Sequence, residues 1–408
     1  MPIHVVKEAH RCLQCKVPRC RTGCPINTSI PEMIRLFREN RLNDAGKMLF
    51  ENNPLSVVCS LVCDHEKQCE GHCVLGVKGA PVHISSIENY ISDTYLDRLE
   101  WKREPEKGQK VGIIGSGPAG ITIAIILQQR GYDVTIFESK EKIGGVLRYG
   151  IPAFRLPKEI LDRYKDQMRK LGIKIRPNTA IGRSLTVDDM QRDGYEAIFI
   201  GTGVWKANKL GIKGESLGNV HYAIDYLVDP GVYDLGNSLT VIGAGNSAMD
   251  VARTALREGV KHVTVLSHSK EASASPREIE YAIADGVEIL YGACTEEITD
   301  NGVIYRQASF DEQGNRISLG EPELLPSDSV IVAIGQGAQN RIVSTTTGLE
   351  MSSRGLLAAD EKGNTTRPGI FASGDVVSGA KTVVEAVNYS KKVAEEMDAY
   401  LQTRREGR

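Results

Sequence analysis

The chain has 408 residues, with 50 basic and 52 acidic side chains, a formal net charge of −2 and a mean hydropathy of −0.23. That length accommodates two to four domains. The charge balance argues against a nucleic-acid or polyanion surface, and no apolar stretch reaches the 18 or so residues a membrane span requires.

The opening, MPIHVVKEAH, has neither the apolar core nor the cleavage site of a secretory leader. A cytoplasmic chain with reduced thiols is therefore expected. Eight of the nine cysteines then fall between Cys12 and Cys73, in two quartets. Cys12, Cys15, Cys20 and Cys24 follow C-x2-C-x4-C-x3-C, with Pro25 after the last; Cys59, Cys63, Cys69 and Cys73 follow C-x3-C-x5-C-x3-C. Eight thiolates meet the demand of two 4Fe-4S clusters, and the first quartet lies close to the ferredoxin run that ends in Cys-Pro. In two-cluster ferredoxins the cysteine before the proline serves the other cluster. The same crossing here would group Cys12, Cys15 and Cys20 with Cys73, and Cys24 with Cys59, Cys63 and Cys69. The alternative is structural zinc, but only Cys12 and Cys15 have the usual knuckle spacing. His65 and His72, among the cysteines, read as structural.

Around these cysteines the first hundred or so residues read as α-helical. Ser29 precedes a helix with Pro31 in its first turn and Ile30, Ile34 and Phe37 on one face. Ile87, Ile91, Tyr95 and Leu99 mark a second helix, and the charged stretch Lys102 to Lys110 reads as a linker. Strands then alternate with helices, the signature of doubly wound α/β domains.

VGIIGSGPAG runs from a β-branched strand into Gly115-x-Gly117-x-x-Gly120, followed by a helix, the strand DVTIFE and Glu138. Gly115 would make the tight turn, Gly117 would admit a pyrophosphate and Gly120 would let helix pack on strand, while Glu138 would accept from ribose hydroxyls. Gly144-Gly145-Val146 follows the acid and suits the flavin side of an FAD pyrophosphate. Further on, LTVIGAGNSAMD repeats the layout with Gly243, Gly245 and Ala248. The strand after it ends in Ser267-His268-Ser269-Lys270, with neither the acid of an NAD site nor the arginines of an NADP site; Lys270 and Arg277 are near enough in sequence to meet a 2′-phosphate. NADH and NADPH both stay open, with a lean to NADH. Cys294 reads as a small buried hydrophobe. Ile200 to Gly203 and Val332 to Gln336 read as the exits between two domains, one inserted in the other. Near the C-terminus a strand ends in Gly374-Asp375, and a helix begins after Thr382. Asp375 would accept from a ribityl chain, and the helix start would aim N–H groups at a flavin.

Taken in order, the cysteine quartets, GSGPAG…E…GG, GIPAFRLPK, GTG, GAGNSAMD, AIG and FASGD…KTVVEAV resemble the small flavin-carrying subunit of bacterial glutamate synthase, and equally the flavin subunit of dihydropyrimidine dehydrogenase. The resemblance runs from Lys7 to about Leu401. It implies FAD on Gly115, Gly117, Pro118, Ala119, Glu138, Gly145, Arg155, Gly374, Asp375, Thr382 and Val383, and a pyridine nucleotide on Gly245, Asn246, Ser247, Ala248 and the turn Ala333-Ile334-Gly335. The family carries Asp-Thr where this chain has Asn246-Ser247, and its NADPH-using members carry basic residues where this chain has His268 and Ser269. The fold expected is a helical iron–sulfur domain (1–107), an FAD domain (108–208 and 337–408) and an inserted NAD(P) domain (209–336). The expected activity is electron input from NAD(P)H through FAD and two 4Fe-4S clusters to a larger FMN-containing catalytic subunit, since the chain leaves no room for another catalytic domain. That partner would be of the NAD-dependent dihydropyrimidine dehydrogenase type or, alternatively, the NADPH-dependent glutamate synthase type. Two other classes are a stand-alone FAD disulfide reductase, which would need a redox CxxC that the flavin half lacks, and a zinc-stabilised nucleotide-binding scaffold.

Overall fold

Apolar side chains at helical spacing gather the N-terminal region into α-helices in the computed structural model, which describes residues 4–407. Met1 to Ile3 of the opening, and Arg408, lie outside the described residues. The helices are Val5–His10, Arg19–Thr22, Ile30–Arg38, Leu42–Asn52, Ser56–Val62 and Ile84–Leu96, with a 3-10 turn at Val74–Val77. Ile30, Met33, Ile34, Leu49, Ile84, Ile87 and Ile91 form their common core. Phe37 is only half-buried, because Met33 and Leu36 occupy the inward face instead. Ser29 precedes its helix without a side-chain capping bond, and the helix ending at Leu96 stops short of Leu99.

The charged stretch before Lys110 has no regular structure but is not a free linker. Glu104 N–H donates to Gln129 O and Lys107 N–H to Gly131 O, and buried Gln109 Nε2 donates to Leu401 O at 2.9 Å. Composition showed charge, whereas the backbone bonds come from residues far along the chain.

The chain forms two compact units. One comprises residues 1–148, 153–204 and 338–408, and the other 149–152 and 205–337. The helical region and the first glycine-loop region thus lie in a single unit, and the 107/108 boundary falls inside it. Its parallel sheet runs Ile370–Ala372, Tyr195–Ile200, Lys110–Ile114, Asp133–Phe137, Lys174–Arg176. The strands are apolar almost throughout, as sheets covered on both faces require. The terminal helix Val383–Glu406 and the helix Pro118–Gln129 pack together on this sheet.

Within this unit the helical region is held by specific contacts. Arg163 donates to the carboxylates of Asp93 and Asp97 and, at 2.6 Å, to Asp93 O. Gln167 Nε2 donates to Leu96 O at 3.0 Å. Phe50 meets the rings of Tyr95, Trp101 and Tyr164 at centroid distances of 5.8, 6.1 and 6.5 Å.

The second unit repeats the sheet order with Val220–Tyr222, Ser329–Val332, Ser238–Ile242, His262–Ser267 and Glu288–Tyr291, all parallel. It adds an antiparallel sheet of Ala293–Thr299, Gly302–Phe310 and Arg316–Pro326, which the sequence reading does not anticipate. The last of these strands is exposed and holds Pro322 and Pro326, so neither its composition nor its periodicity marks a strand.

Candidate functional site

Packing brings Cys73 of the second quartet to the same cavity as three cysteines of the first. Cys12, Cys15, Cys20 and Cys73 line one cavity with Leu13, Ile30, Ile34 and Val74. Cys24 lies near enough to Cys69, and Cys59 near enough to Cys63, to influence its ionisation. Cys59 and Cys69 are buried and the other ligand candidates half-buried. Burial, then the neighbouring Cys73, pushes the Cys20 thiol up to about 11, and burial raises Cys12. The neighbouring Cys59 thiol and burial raise Cys63, while burial and Glu88 raise Cys69. A bound metal cation would supply the opposing charge that lets such thiols ionise. Among the described residues, no three His, Cys, Asp or Glu side chains converge as ligands to one metal ion. The cavity lined by Cys12, Cys15, Cys20 and Cys73 offers four thiols, the donor count of a 4Fe-4S cluster.

Polar residues support the cysteines. His65 is buried, with Nε2 3.1 Å from Ser60 O and Nδ1 3.5 Å from Cys69 Sγ, and His72 Nδ1 lies 2.6 Å from Gln68 O. Glu88 is buried; desolvation moves its carboxyl up to about 7, offset in part by Ser56 Oγ, which donates at 2.8 Å. Leu13, Val17 and Val77 are exposed at 61, 78 and 70%.

The first glycine loop is shaped by close backbone approach. At Gly115 (φ 97°) an added Cβ would meet Gly201 O at 2.6 Å, and at Gly120 one would meet Gly115 O at 2.0 Å. At Gly117 it would meet nothing within 4 Å, so the loop leaves open the space through which a pyrophosphate would approach. Pro118 and Ala119 open the helix behind the loop. Gly144 N–H donates to Ser116 O at 3.0 Å, and Gly145 (φ 52°) stacks its backbone on Gly117, whose Cα lies 2.9 Å from where a Cβ would stand. Val146 starts the short helix that follows. The sequence reading overlooks Ser116. Its N–H donates to Glu138 Oε2 at 2.9 Å and its hydroxyl to the same oxygen, while Lys140 N–H donates to Oε1 at 2.8 Å. Buried Glu138 therefore clamps the loop, and a ribose hydroxyl would have to share it. Arg155 is half-buried.

The C-terminal segment closes on the same loop. An added Cβ at Gly374 (φ 76°) would lie 3.1 Å from Ala119 Cβ. Burial lifts the Asp375 carboxyl to about 6, against a counteracting bond from Lys381 N–H at 3.2 Å. Thr382 and Glu385 form a reciprocal capping box, so Val383 begins a helix whose first turn is fixed. Ser390 is buried and bonds Ser373 Oγ at 2.8 Å.

In the second unit, an added Cβ at Gly243 (φ 114°) would meet Ala333 O at 2.4 Å. The Ala333-Ile334-Gly335 turn therefore stands beside this loop, as Gly201 stands beside the first. Gly245 leaves open space except for Ser273 Oγ at 3.6 Å. Asn246 Oδ1 accepts from Ser275 N–H at 2.8 Å, and Ser247 and buried Ala248 continue the helix. The loop through Ser273 and Ser275 was absent from the sequence reading, because its partner lies 29 residues earlier. His268 and Lys270 are exposed. Arg277 Nε donates to Tyr281 Oη at 3.2 Å, one turn along its own helix. Cys294 is half-exposed rather than buried, with Arg316 donating to its sulfur at 3.5 Å, because its strand belongs to the exposed antiparallel sheet.

Comparison with known proteins agrees with this geometry. Residues 109–390 match the family described as pyridine nucleotide-disulphide oxidoreductase, which also matches 73–189, and residues 2–99 match dihydropyrimidine dehydrogenase domain II, 4Fe-4S cluster. The chain is 33% identical to the glutamate synthase [NADPH] small chain of Escherichia coli (strain K12), over 97% of this chain and 91% of that one. It is 32% identical to the NAD-dependent dihydropyrimidine dehydrogenase subunit PreT of Escherichia coli O157:H7, over 98% and 95%. The thioredoxin reductase of T. acidophilum shares the fold at TM-score 0.57 and 23% identity, covering 72% of this chain and 99% of that structure. Among the described residues no helix is long and apolar enough to cross a membrane. On these matches the chain belongs to the pyridine nucleotide-disulphide oxidoreductase family, as an NAD(P)H-dependent FAD and 4Fe-4S electron-transfer subunit of the kind represented by glutamate synthase small chains and PreT.

Proposed function

We propose that this chain is the electron-input subunit of a larger enzyme, taking hydride from NAD(P)H onto FAD and passing electrons through two 4Fe-4S clusters to an FMN-containing catalytic partner. The observation that supports the reading is the cavity that Cys12, Cys15, Cys20 and Cys73 line together, with Cys24 near enough to Cys69 to influence its ionisation. Cys12, Cys15, Cys20 and Cys73 hold one cluster, and Cys24, Cys59, Cys63 and Cys69 the other. FAD, when bound, accepts two electrons as hydride and releases them singly.

The chain's own residues bind and position. Gly117 and Gly145 keep side chains away from the FAD pyrophosphate, Glu138 holds the loop through Ser116, and Asp375 with the Thr382–Val383 helix start orients the flavin end. Gly245, Asn246, Ser247, Ala248 and the Ala333-Ile334-Gly335 turn bind the pyridine nucleotide. Leu13, Val17 and Val77, exposed near the first cysteine group, receive the catalytic partner. No general base is required. A helical iron–sulfur region (1–107), an FAD domain (108–208 and 337–408) and an inserted NAD(P) domain (209–336) describe the arrangement.

The partner is of the NAD-dependent dihydropyrimidine dehydrogenase type. The segment His268-Ser269-Lys270 holds no arginine for a 2′-phosphate, its exposed Lys270 being the one basic residue there with a fixed charge. The second reading, an NADPH-linked glutamate synthase partner, is favoured by the 33% identity to the small chain of that enzyme. An anaerobic iron, sulfide and zinc count, with visible spectra before and after NADH and then NADPH, tests the proposal. About eight irons per chain and a flavin bleached by NADH are expected; zinc in place of iron removes the electron path and overturns it, and strong preference for NADPH transfers the partner to the second reading.

A further inference from the structure

A continuous hydrogen-bonded chain runs from the terminal helix to one of the cysteines. Lys391 Nζ donates to Asn52 Oδ1 at 3.1 Å and to Asn52 O at 2.7 Å. Asn52 Nδ2 donates to Thr28 Oγ1 at 3.2 Å and to Ile26 O at 3.3 Å. Thr28 Oγ1 lies 3.4 Å from Cys24 Sγ, and Thr28 is buried. Four side chains from three separate parts of the sequence thus meet end to end.

The direction of the links from Lys391 to Thr28 is fixed by chemistry, while the free Cys24 thiol donates to Thr28 Oγ1. An ammonium only donates, so Asn52 presents its oxygen to Lys391. Ile26 O only accepts, so the Asn52 amide nitrogen faces it and Thr28. The Thr28 oxygen, having accepted, keeps its own proton to give. Toward a neutral thiol that hydroxyl can accept, but a cluster-bound sulfur has no proton and can only receive one. With Cys24 as a ligand, all the donors therefore point the same way, from the Lys391 cation toward the sulfur. Aligned bonds of this kind polarise one another. Hydrogen bonds to cluster sulfurs stabilise the more negative, reduced state and set the potential.

We propose that Lys391, Asn52 and Thr28 form an oriented relay that delivers positive charge to Cys24 Sγ and raises the reduction potential of the cluster Cys24 holds. The proposal rests on the ligand assignment above. Lys391 stands eight residues beyond Val383, about 12 Å along the helix that starts at the flavin end of the site. The relay therefore gives the flavin unit a direct hold on the potential of the buried cluster. Lys391 and Thr28 are positioning residues in this role. A purely structural reading, in which Lys391 only satisfies the final carbonyl of helix Leu42–Asn52, predicts no change in potential.

The test is a redox titration of the full chain, purified anaerobically with its clusters, followed by electron paramagnetic resonance. The variants are T28V, T28S, K391M, K391R and the T28V/K391M pair, each with an iron count. T28V and K391M are expected to lower the potential of one cluster and leave the other unmoved, with iron and FAD content as in the parent chain. A tenfold rise in the oxidised-to-reduced ratio at fixed potential corresponds to about 59 mV for one electron. T28S and K391R should restore most of the parent value. The double variant should shift no further than T28V alone, because the lysine acts through the threonine. Unmoved potentials at full iron content, shifts in both clusters, or additive shifts in the double variant would each overturn the relay. C24A separates the two levels of inference: retention of all iron in that variant removes the ligand assignment itself, whatever the relay variants do.

Discussion

Alanine at Gly117 and alanine at Gly120, three residues apart in one loop, should produce opposite defects. A Cβ at Gly120 would stand 2.0 Å from Gly115 O and 3.1 Å from its carbonyl carbon, where ordinary contact begins at about 3.4 Å. Both neighbours are backbone, so the helix Pro118–Gln129 has to lift from the strand Lys110–Ile114. Overpacking of this kind costs about 1–3 kcal/mol or more, a large part of a domain stability of about 5–15 kcal/mol. At Gly117 the added methyl meets nothing within 4 Å, and the backbone there has a φ of −73°, which any residue adopts. Alanine there reduces unfolded-chain entropy by about 0.4–1 kcal/mol, roughly offsetting the preference for glycine over alanine at a helix N-cap. Stability should therefore stay within about 1 kcal/mol of the parent. The methyl nevertheless occupies the approach to the helix N-terminus, displacing at least one charge-assisted hydrogen bond to phosphate, about 1.5–3 kcal/mol or roughly 10–150-fold in FAD affinity. Urea unfolding of the flavin-stripped chains, paired with FAD titration by fluorescence quenching, reads both quantities. FAD bound by G117A as tightly as by the parent chain would refute the placement of the pyrophosphate, and parent-like unfolding of G120A would refute the packing argument.

The remaining predictions concern the other sites. Gly245→Ala should raise the NAD(P)H KM about tenfold or more with FAD content unchanged, since only Ser273 Oγ comes within 4 Å of the added methyl; an unchanged KM in stopped-flow flavin reduction counts against the second loop. C73S and C59S should each remove roughly half of about eight irons, by metal analysis, with different cluster signals lost; loss of the same signal in both would dissolve the grouping. Asp375 has a carboxyl lifted to about 6 by burial, so its ionised form, the better acceptor for ribityl hydroxyls, fills in as pH rises through 6. FAD retention should strengthen over that interval and D375N should flatten the profile, while an unaltered profile in D375N would assign the step to another group. Because that pKa is raised above the ordinary carboxylate value, ionising Asp375 costs stability in the flavin-free chain between about pH 4 and 6, so D375N should lessen the decline in urea midpoint over that range. Phe50→Ala should cost about 3–5 kcal/mol in urea unfolding, because Phe50 is buried among Tyr95, Trp101 and Tyr164; a loss under about 1 kcal/mol would show those rings to be loosely packed.

The residues that sequence alone made legible are those whose job is local. Gly115, Gly117 and Gly120 are spaced by one turn and one helix start, Gly243 and Gly245 repeat the pattern, and the Cys-Pro run of Cys24 and Pro25 is contiguous. A backbone that must turn tightly or approach a phosphate dictates glycine wherever it occurs, so the chemistry appears in the string itself. Tertiary structure decided what those residues face. It set Gly201 O and Ala333 O against the two loops, stacked Gly145 on Gly117, and made Ser116 and Glu138 a clamp. It brought Cys73 beside Cys12, Cys15 and Cys20, turned Arg277 onto Tyr281, and left Cys294 half-exposed on an antiparallel sheet. It also aligned Lys391, Asn52 and Thr28, three residues with no motif in common, into a path to Cys24. Most of these contacts join positions tens to hundreds of residues apart, and only the packing of helices and sheets selects which of many compatible side chains will meet.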